Sequence, residues 1–178
     1  MASFKEIKEK FDQLSPQGKE DLFKEIYSFS KEMKLFLENR LLGGKDDVFI
    51  TAMEKETIGK VYKKGIPGTP NGKVVNSIIA KARKSLVSTW TLIKLEHLAY
   101  RGFIEFLNEY GGGPESFDDM ACKHLEAYLN LVKSESKDQE EKYKIFQEVK
   151  KYLLDKNNMY TDSLDDVFES ATGISVNR

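Results

Sequence analysis

Apolar side chains recur every three or four residues along almost the whole of this chain, and this spacing constrains its fold more than any other feature. The spacing matches the period of an α-helix, whereas the strict alternation typical of a strand is absent. We therefore predict an all-α protein, an irregular multi-helix bundle or helical-repeat-like array of about eight or nine helices. The longest stripe is nearly unbroken: Leu95, Leu98, Ala99, Gly102, Phe103, Phe106, Leu107 and Tyr110.

Residues that cap helices predict where the first helices begin. Ser3 with Glu6 has the pattern of a capping box, in which each side chain bonds to the backbone N–H of the other residue. Ser15 followed by Pro16 is a cap with proline at the first helical position. Ser30 either caps a new helix or lies at a bend in a continuous one, and both alternatives stay open.

Acidic residues and glycines predict the later boundaries. We expect Asp46 or Asp47 to cap a fourth helix, and Ser116 with Asp119 to cap another. Glycine adopts the left-handed backbone conformation that commonly follows a helix. Four glycine positions are therefore predicted to end helices: Gly43–Gly44, Gly65, Gly111 and Gly173.

One loop stands out, because residues 65–72 contain three glycines and two prolines. This composition predicts a turn-rich connection that separates an N-terminal from a C-terminal group of helices. The chain has 178 residues, the size of one domain or of two small ones. We predict one helical domain over 1–178, since the flanking helices are too few to build two good cores.

A short motif occurs twice. The segment 116–120, Ser-Phe-Asp-Asp-Met, matches the segment 163–167, Ser-Leu-Asp-Asp-Val. The two segments are 47 residues apart, an interval that is compatible with a two-helix repeat. The alternative is that Ser-apolar-Asp-Asp is simply a favourable helix start, since acids stabilise the first turn. The second interpretation is favoured, because two copies are fewer than a stable array needs.

The charge is unevenly distributed although the net charge is only −1. Residues 55–84 contain eight bases and one acid, whereas residues 105–172 contain sixteen acids and eight bases. The basic segment predicts contacts with nucleic-acid phosphates or with an acidic partner. The alternatives are a solvated surface and an internal match to the acidic half. The candidate binding residues are Lys60, Lys63, Lys64, Lys73, Lys81, Arg83 and Lys84.

Residues able to perform catalysis or bind a metal are few. Cys122 and His124 are two positions apart, so on a helix they point in roughly opposite directions. His124 lies on an apolar stripe, where we expect a buried histidine held by a hydrogen bond. Neighbouring acids raise rather than lower the pKa of the Cys122 thiol. We therefore predict no catalytic residues, no cofactor and no metal.

The sequence also predicts a location. No apolar run approaches the roughly 20 residues of a membrane span, and the N-terminus lacks the apolar stretch of a signal peptide. A single cysteine excludes an internal disulfide and fits a reducing compartment. We expect a cytoplasmic protein without a membrane partner.

Five short segments carry a resemblance to known proteins: residues 14–16, 20–27, 81–84, 106–111 and 116–118. Together they resemble an uncharacterised family of small bacterial all-helical proteins, a domain of unknown function, whereas residues 161–173 depart from the family pattern. The resemblance implies a bacterial cytoplasmic setting and an all-helical fold. The family has no assigned catalytic residues, so none can be transferred to this chain.

Together these observations predict a non-catalytic helical interaction or adaptor protein. Its expected partner is another protein or a second copy of itself, because amphipathic helices and unequal charge suit docking. The alternative is a nucleic-acid-binding protein that uses the basic segment at 55–84.

Overall fold

The computed structural model describes residues 2–42, 46–61, 65–136 and 138–177. Those residues form nine α-helices and no strand, with one isolated bridge between Val61 and Pro67. The predicted all-α class is thereby confirmed. The helices are α1 Phe4–Asp12, α2 Pro16–Phe29, α3 Lys31–Leu42, α4 Asp47–Glu56, α5 Gly72–Lys84, α6 Thr89–Tyr110, α7 Glu115–Glu135, α8 Gln139–Leu154 and α9 Thr161–Thr172.

The first helices begin where their caps predict. In α1, the Glu6 N–H donates to Ser3 Oγ at 3.3 Å, and the Ser3 N–H donates to the Glu6 carboxylate at 2.7 Å. Ser15 Oγ accepts from the Gly18 N–H at 3.1 Å and begins α2. Ser30 has an extended backbone, and its Oγ accepts from the Met33 N–H at 3.0 Å. Of the two alternatives for Ser30, the structure shows the new cap.

Two predicted boundaries are wrong. Helix α4 ends at Glu56 and not at Gly65, because the Thr57 hydroxyl donates to the Met53 carbonyl at 2.7 Å and the backbone of Thr57 is no longer helical. Helix α7 begins at Glu115, before Ser116, because the Pro114 carbonyl already accepts from the Phe117 N–H at 2.8 Å.

The other predicted glycine stops have different outcomes. Gly111 and Gly173 end α6 and α9 with left-handed backbones, φ 69° and 73°. The predicted stop at Gly43–Gly44 lies outside the described residues. Both copies of the Ser-apolar-Asp-Asp motif lie near the start of a helix, α7 and α9, but neither serine is the N-cap, since α7 begins at Glu115 and α9 at Thr161.

The described chain divides into two compact units after α3. The first unit contains residues 2–42 with 84–86, and the second contains residues 46–83 with 87–177. Every buried apolar side chain of the described residues belongs to the second unit. There α6 is the central helix and packs against α4 and α7, while α7 also packs against α9. The single-domain prediction stays a prediction.

None of the described helices combines the length and the apolar content needed to cross a membrane.

Candidate functional site

The N-terminal unit carries a concave surface, a groove of about 950 Å³. Its walls are apolar side chains of α1 and α2 and of the turn between them, together with charged side chains of α1. Helical spacing places the α1 side chains on one stripe, and α2 contributes one turn of its own stripe. We call this surface the N-terminal groove and define it by Phe4, Ile7, Phe11, Leu14, Leu22 and Ile26.

The apolar side chains of this unit are open to solvent. Phe4 is 81% exposed, Ile7 58% and Phe29 83%, and no described side chain between residues 2 and 42 is buried. A single exposed apolar residue is ordinary, but a contiguous exposed apolar surface is typical of an interaction site. Because none of their described side chains is buried, these three helices also lack the apolar burial that offsets the entropy of ordering a chain.

Charged side chains flank the apolar stripes of the groove. At about 100° per residue, Lys8 and Lys10 lie at the two edges of the α1 stripe. The acids of α1 that line the groove are Glu6, Glu9 and Asp12. The Lys19 ammonium of α2 lies over the Phe11 ring, 5.3 Å from its centre. Helix α1 therefore brings charges of both signs to the groove.

The stripe of α2 has an acidic edge. Asp21 and Glu25 lie along one side of Leu22 and Ile26 on the helix surface. Asp21 accepts a hydrogen bond from Gln17 at 2.9 Å. The edge is solvent-exposed, and Lys24 Nζ of the same helix lies 3.9 Å from Asp21 Oδ1.

The basic residues predicted from the sequence fall into three groups. Lys60 and Arg83 are paired: Lys60 Nζ lies 2.7 Å from Glu56 Oε1, and an Arg83 nitrogen lies 3.1 Å from Glu96 Oε1. Lys63 and Lys64 lie outside the described residues. The third group, on α5, consists of Lys73, Lys81 and Lys84.

The three lysines of α5 are exposed and lie on one side of that helix. Among the described carboxylates, none forms an ion pair with them. Lys123 of α7 donates to Asn76 of α5 at 2.9 Å and brings a further ammonium group to this helix. The structure therefore places three of the seven predicted basic residues together on α5. Two others, Lys60 and Arg83, are neutralised by ion pairs.

A buried charge network connects α5, α6 and α7. His124 Nδ1 lies 2.6 Å from Glu96 Oε2, and both residues are only 2% exposed. The Arg83 guanidinium bonds to the other Glu96 oxygen, and the His124 ring stacks against Phe103 at 6.3 Å. His124 is thus the hydrogen-bonded core histidine that its apolar stripe predicted. Its Nε2 is buried without a hydrogen-bond partner.

A small cleft of about 180 Å³ lies among α6, α7 and α8. Its rings belong to His97, Tyr100, Tyr128 and Tyr152. Burial, and secondly the Arg101 charge, lowers the pKa of His97 to about 4, and burial raises the pKa of Tyr128 to about 12. These groups offer hydrogen bonds and ring faces. The volume is below the roughly 300–1,000 Å³ of ordinary ligand pockets.

One side of the cleft is held by polar contacts. The Tyr152 hydroxyl donates to Glu105 at 2.8 Å, and the Arg101 guanidinium lies over the Tyr152 ring, 4.6 Å from its centre. Lys156 pairs with the same Glu105 carboxylate at 3.1 Å. This carboxylate is therefore committed to its neighbours and is not a free acid or base.

The cysteine is poorly suited to nucleophilic chemistry. Burial, and secondly the neighbouring Asp118, raises the pKa of the Cys122 thiol to about 12. Its Sγ lies 3.4 Å from an Asp118 carboxylate oxygen. Within the described ranges, no three His, Cys, Asp or Glu side chains converge as ligands of a metal ion do.

Sequence reasoning missed two features of these sites. The spacing of Phe4, Ile7 and Phe11 shows an apolar stripe on α1, but the sequence did not show that this stripe is exposed in a separate unit. The buried acid Glu96 was also missed. A glutamate between the apolar residues Leu95 and Leu98 was its one sequence signal.

Comparisons with protein-family models, with curated proteins and with solved structures found no match to this chain. The resemblance to an uncharacterised bacterial helical family therefore stays a prediction.

Proposed function

We propose that this protein is a non-catalytic interaction module that uses the N-terminal groove to bind an amphipathic α-helix of a protein. One observation carries the proposal: no described side chain between residues 2 and 42 is buried, although α1 and α2 each have an apolar stripe. Covering apolar surface contributes roughly 25 cal/mol per Å². A helix laid in the groove supplies the missing burial.

The shape and lining of the groove favour a helix as the ligand. Helix-in-groove recognition uses apolar anchors on successive turns, set against a hydrophobic trough. The groove has this form, since Phe4, Ile7 and Phe11 follow one another along α1. The proposed setting is the cytoplasm, supported by the lone cysteine Cys122.

Site-specific photo-cross-linking tests the proposal. A photoreactive residue replaces Ile7 in the full chain, and the adducts formed in cells expressing the protein are mapped by mass spectrometry. We expect adducts whose cross-linked residue lies on the apolar face of a helix. The matched control places the same group at Ile58, a 44% exposed isoleucine of the second unit. Equal adduct patterns from both positions contradict the proposal.

A second candidate function is nucleic-acid binding through α5. The observation in its favour is that Lys73, Lys81 and Lys84 are exposed on one side of a helix without acidic residues. Phosphate contacts of this kind weaken as salt rises: the logarithm of the binding constant falls against the logarithm of the salt concentration with a slope of about −0.9 per duplex phosphate contacted. A triple charge reversal at these lysines is expected to abolish duplex binding at low salt. Unchanged affinity in that variant excludes α5 as the surface.

A further inference from the structure

We propose that the cleft among α6, α7 and α8 binds a small organic acid, a monocarboxylate with a compact apolar body. We call this surface the ring cleft, after the four rings that line it, those of His97, Tyr100, Tyr128 and Tyr152. The proposal concerns the second unit and does not depend on the N-terminal groove. It rests on hydrogen bonds that the side chains of the ring cleft leave unmade.

Two tyrosines of the ring cleft are buried although their hydroxyls have no partner. Tyr100 is 1% exposed and Tyr128 is 8% exposed, and no described group forms a hydrogen bond with either hydroxyl. The less buried Tyr152 and Tyr160 both donate to oxygen atoms, at 2.8 and 2.9 Å. A buried tyrosine hydroxyl usually has such an acceptor. The acceptor that the described residues do not provide is one that a ligand can supply.

Arg101 brings a positive charge to the same cleft. Its nearest nitrogen lies 3.8 Å from Glu105 Oε1, too far for a hydrogen bond, and its Nε is buried without a partner. The guanidinium is held instead by the Tyr152 ring, 4.6 Å from the ring centre. Stacking of this kind supports the planar group and leaves its N–H groups able to donate. Those donors fit a carboxylate, which accepts two parallel hydrogen bonds from one arginine.

The charges of the ring cleft favour a ligand with a single negative charge. Burial, and secondly the Arg101 guanidinium, lowers the pKa of His97 to about 4, so the imidazole is neutral at pH 7 and adds no second positive charge. Glu148 lines the cleft on the α8 side, and no described base forms an ion pair with it. A monocarboxylate is balanced by Arg101, whereas a dianion such as phosphate is repelled by Glu148.

The rest of the lining and the volume favour a compact apolar body. Ile145 and Val149 are one helical turn apart on α8 and line the cleft together with the tyrosine rings. The volume is about 180 Å³. An apolar cavity of about 150 Å³ binds benzene, so the ring cleft has room for one six-membered ring or a short alkyl chain. A larger acid would leave part of its body in water.

NMR titration of the full chain with sodium benzoate tests the proposal. Benzoate combines one carboxylate with one ring and so matches the charge and the volume. At pH 7 we expect saturable shifts of the His97 and Tyr128 ring signals, with a roughly millimolar dissociation constant. Butyrate, an alkyl acid, is expected to compete for the same site. Benzamide has nearly the same shape without the charge and is expected to bind at least about tenfold more weakly, because its bond to Arg101 is no longer between two charged groups.

Two variants test the assigned donors. Arg101→Gln is expected to weaken benzoate binding at least about tenfold. Arg40→Gln is the matched control and is expected to bind normally, since Arg40 is an exposed arginine outside the lining of the cleft. Tyr100→Phe keeps the ring and removes the hydroxyl, so we expect affinity to fall about threefold or more. The free energy of unfolding of the ligand-free Tyr100→Phe protein is not expected to fall, because the lost hydroxyl has no partner in the fold.

The outcomes decide between a carboxylate site and a cleft that holds water. If neither benzoate nor butyrate shifts the ring signals, the cleft holds only water and the proposal is overturned. Phosphate that displaces benzoate at equal concentration overturns the monocarboxylate class. Equal affinities of Arg101→Gln and Arg40→Gln for benzoate overturn the assigned anion contact. Weaker binding by Arg101→Gln and Tyr100→Phe, with the stability of Tyr100→Phe preserved, supports the proposal. The N-terminal groove is tested separately by the cross-linking at Ile7.

Discussion

His124 Nδ1 lies 2.6 Å from Glu96 Oε2, and this pair is buried at the contact between α6 and α7. Arg83 bonds to the other carboxylate oxygen from the more exposed side. Buried ionisable groups are tolerated when each has a partner, and breaking such a pair leaves a charge without compensation. The pair is therefore a buried polar contact that joins α6 to α7.

The first prediction concerns this pair. His124→Leu is expected to lower the free energy of unfolding by about 3 kcal/mol, because the Glu96 carboxylate stays buried with one partner fewer. Urea denaturation of the full chain measures the loss. The double variant Glu96→Leu with His124→Leu is expected to lose less than the sum of the two single variants. Strict additivity would show that the two side chains are not coupled.

The second prediction concerns the close approach of α4 and α6. A Cβ added at Gly102 would lie only 2.5 Å from the Thr57 Cβ. Gly102→Ala is therefore expected to destabilise the protein by about 1–3 kcal/mol through overpacking, although alanine favours a helix. Gly18→Ala is the control, since the nearest atom there is 3.4 Å away. Thermal unfolding should separate the two variants, and equal melting temperatures would contradict the prediction.

The third prediction concerns Asp46, whose carboxylate does not cap α4. It accepts instead from the Ser88 N–H at 3.3 Å and from the hydroxyls of Ser88 and Thr91. It thereby connects the starts of α4 and α6. Asp46→Ala is expected to cost about 1–3 kcal/mol, because those donors lose their acceptor. Asp47→Ala, one residue along, is expected to cost less than about 1 kcal/mol, and a reversed order would contradict this assignment.

The helices could be predicted from the sequence because their signals are local. Ser3, Ser15 and Gly111 act through backbone groups within four residues, so caps and stops can be recognised without knowledge of the fold. The ends at Glu56 and Glu115 could not be predicted in this way. Thr57 ends α4 well before the predicted stop at Gly65. Pro114 begins α7 before the predicted cap at Ser116.

The candidate sites depend on contacts between distant residues, and these leave little trace in one sequence. Glu96 and His124 are 28 positions apart, and Asp46 and Thr91 are 45 apart. The solvent exposure of the α1 stripe also could not be predicted from the sequence. Amphipathic spacing shows that a face is apolar, but not whether the same chain covers it.

The fourth prediction is a pH dependence that arises at His97. Its folded-state pKa, about 4, is below the ordinary value of 6.5, chiefly because burial disfavours the charged imidazolium. Above pH 6.5 the ring is neutral in both states and the full stability is present. As the pH falls from 6.5 towards 4, the unfolded chain binds a proton that the folded chain does not, so stability is lost.

The size of this loss can be measured by comparison with His97→Gln, which removes the titrating group. Between about pH 7.5 and 4.5, the original chain is expected to lose roughly 2 kcal/mol more than the variant, after allowance for the partial exposure of the ring. The difference between the two chains cancels the titration of the shared carboxylates. NMR titration should then place the His97 midpoint well below 6.5. A midpoint at the ordinary value would mean that water enters the cleft freely and that the ring is not desolvated by α7 and α8.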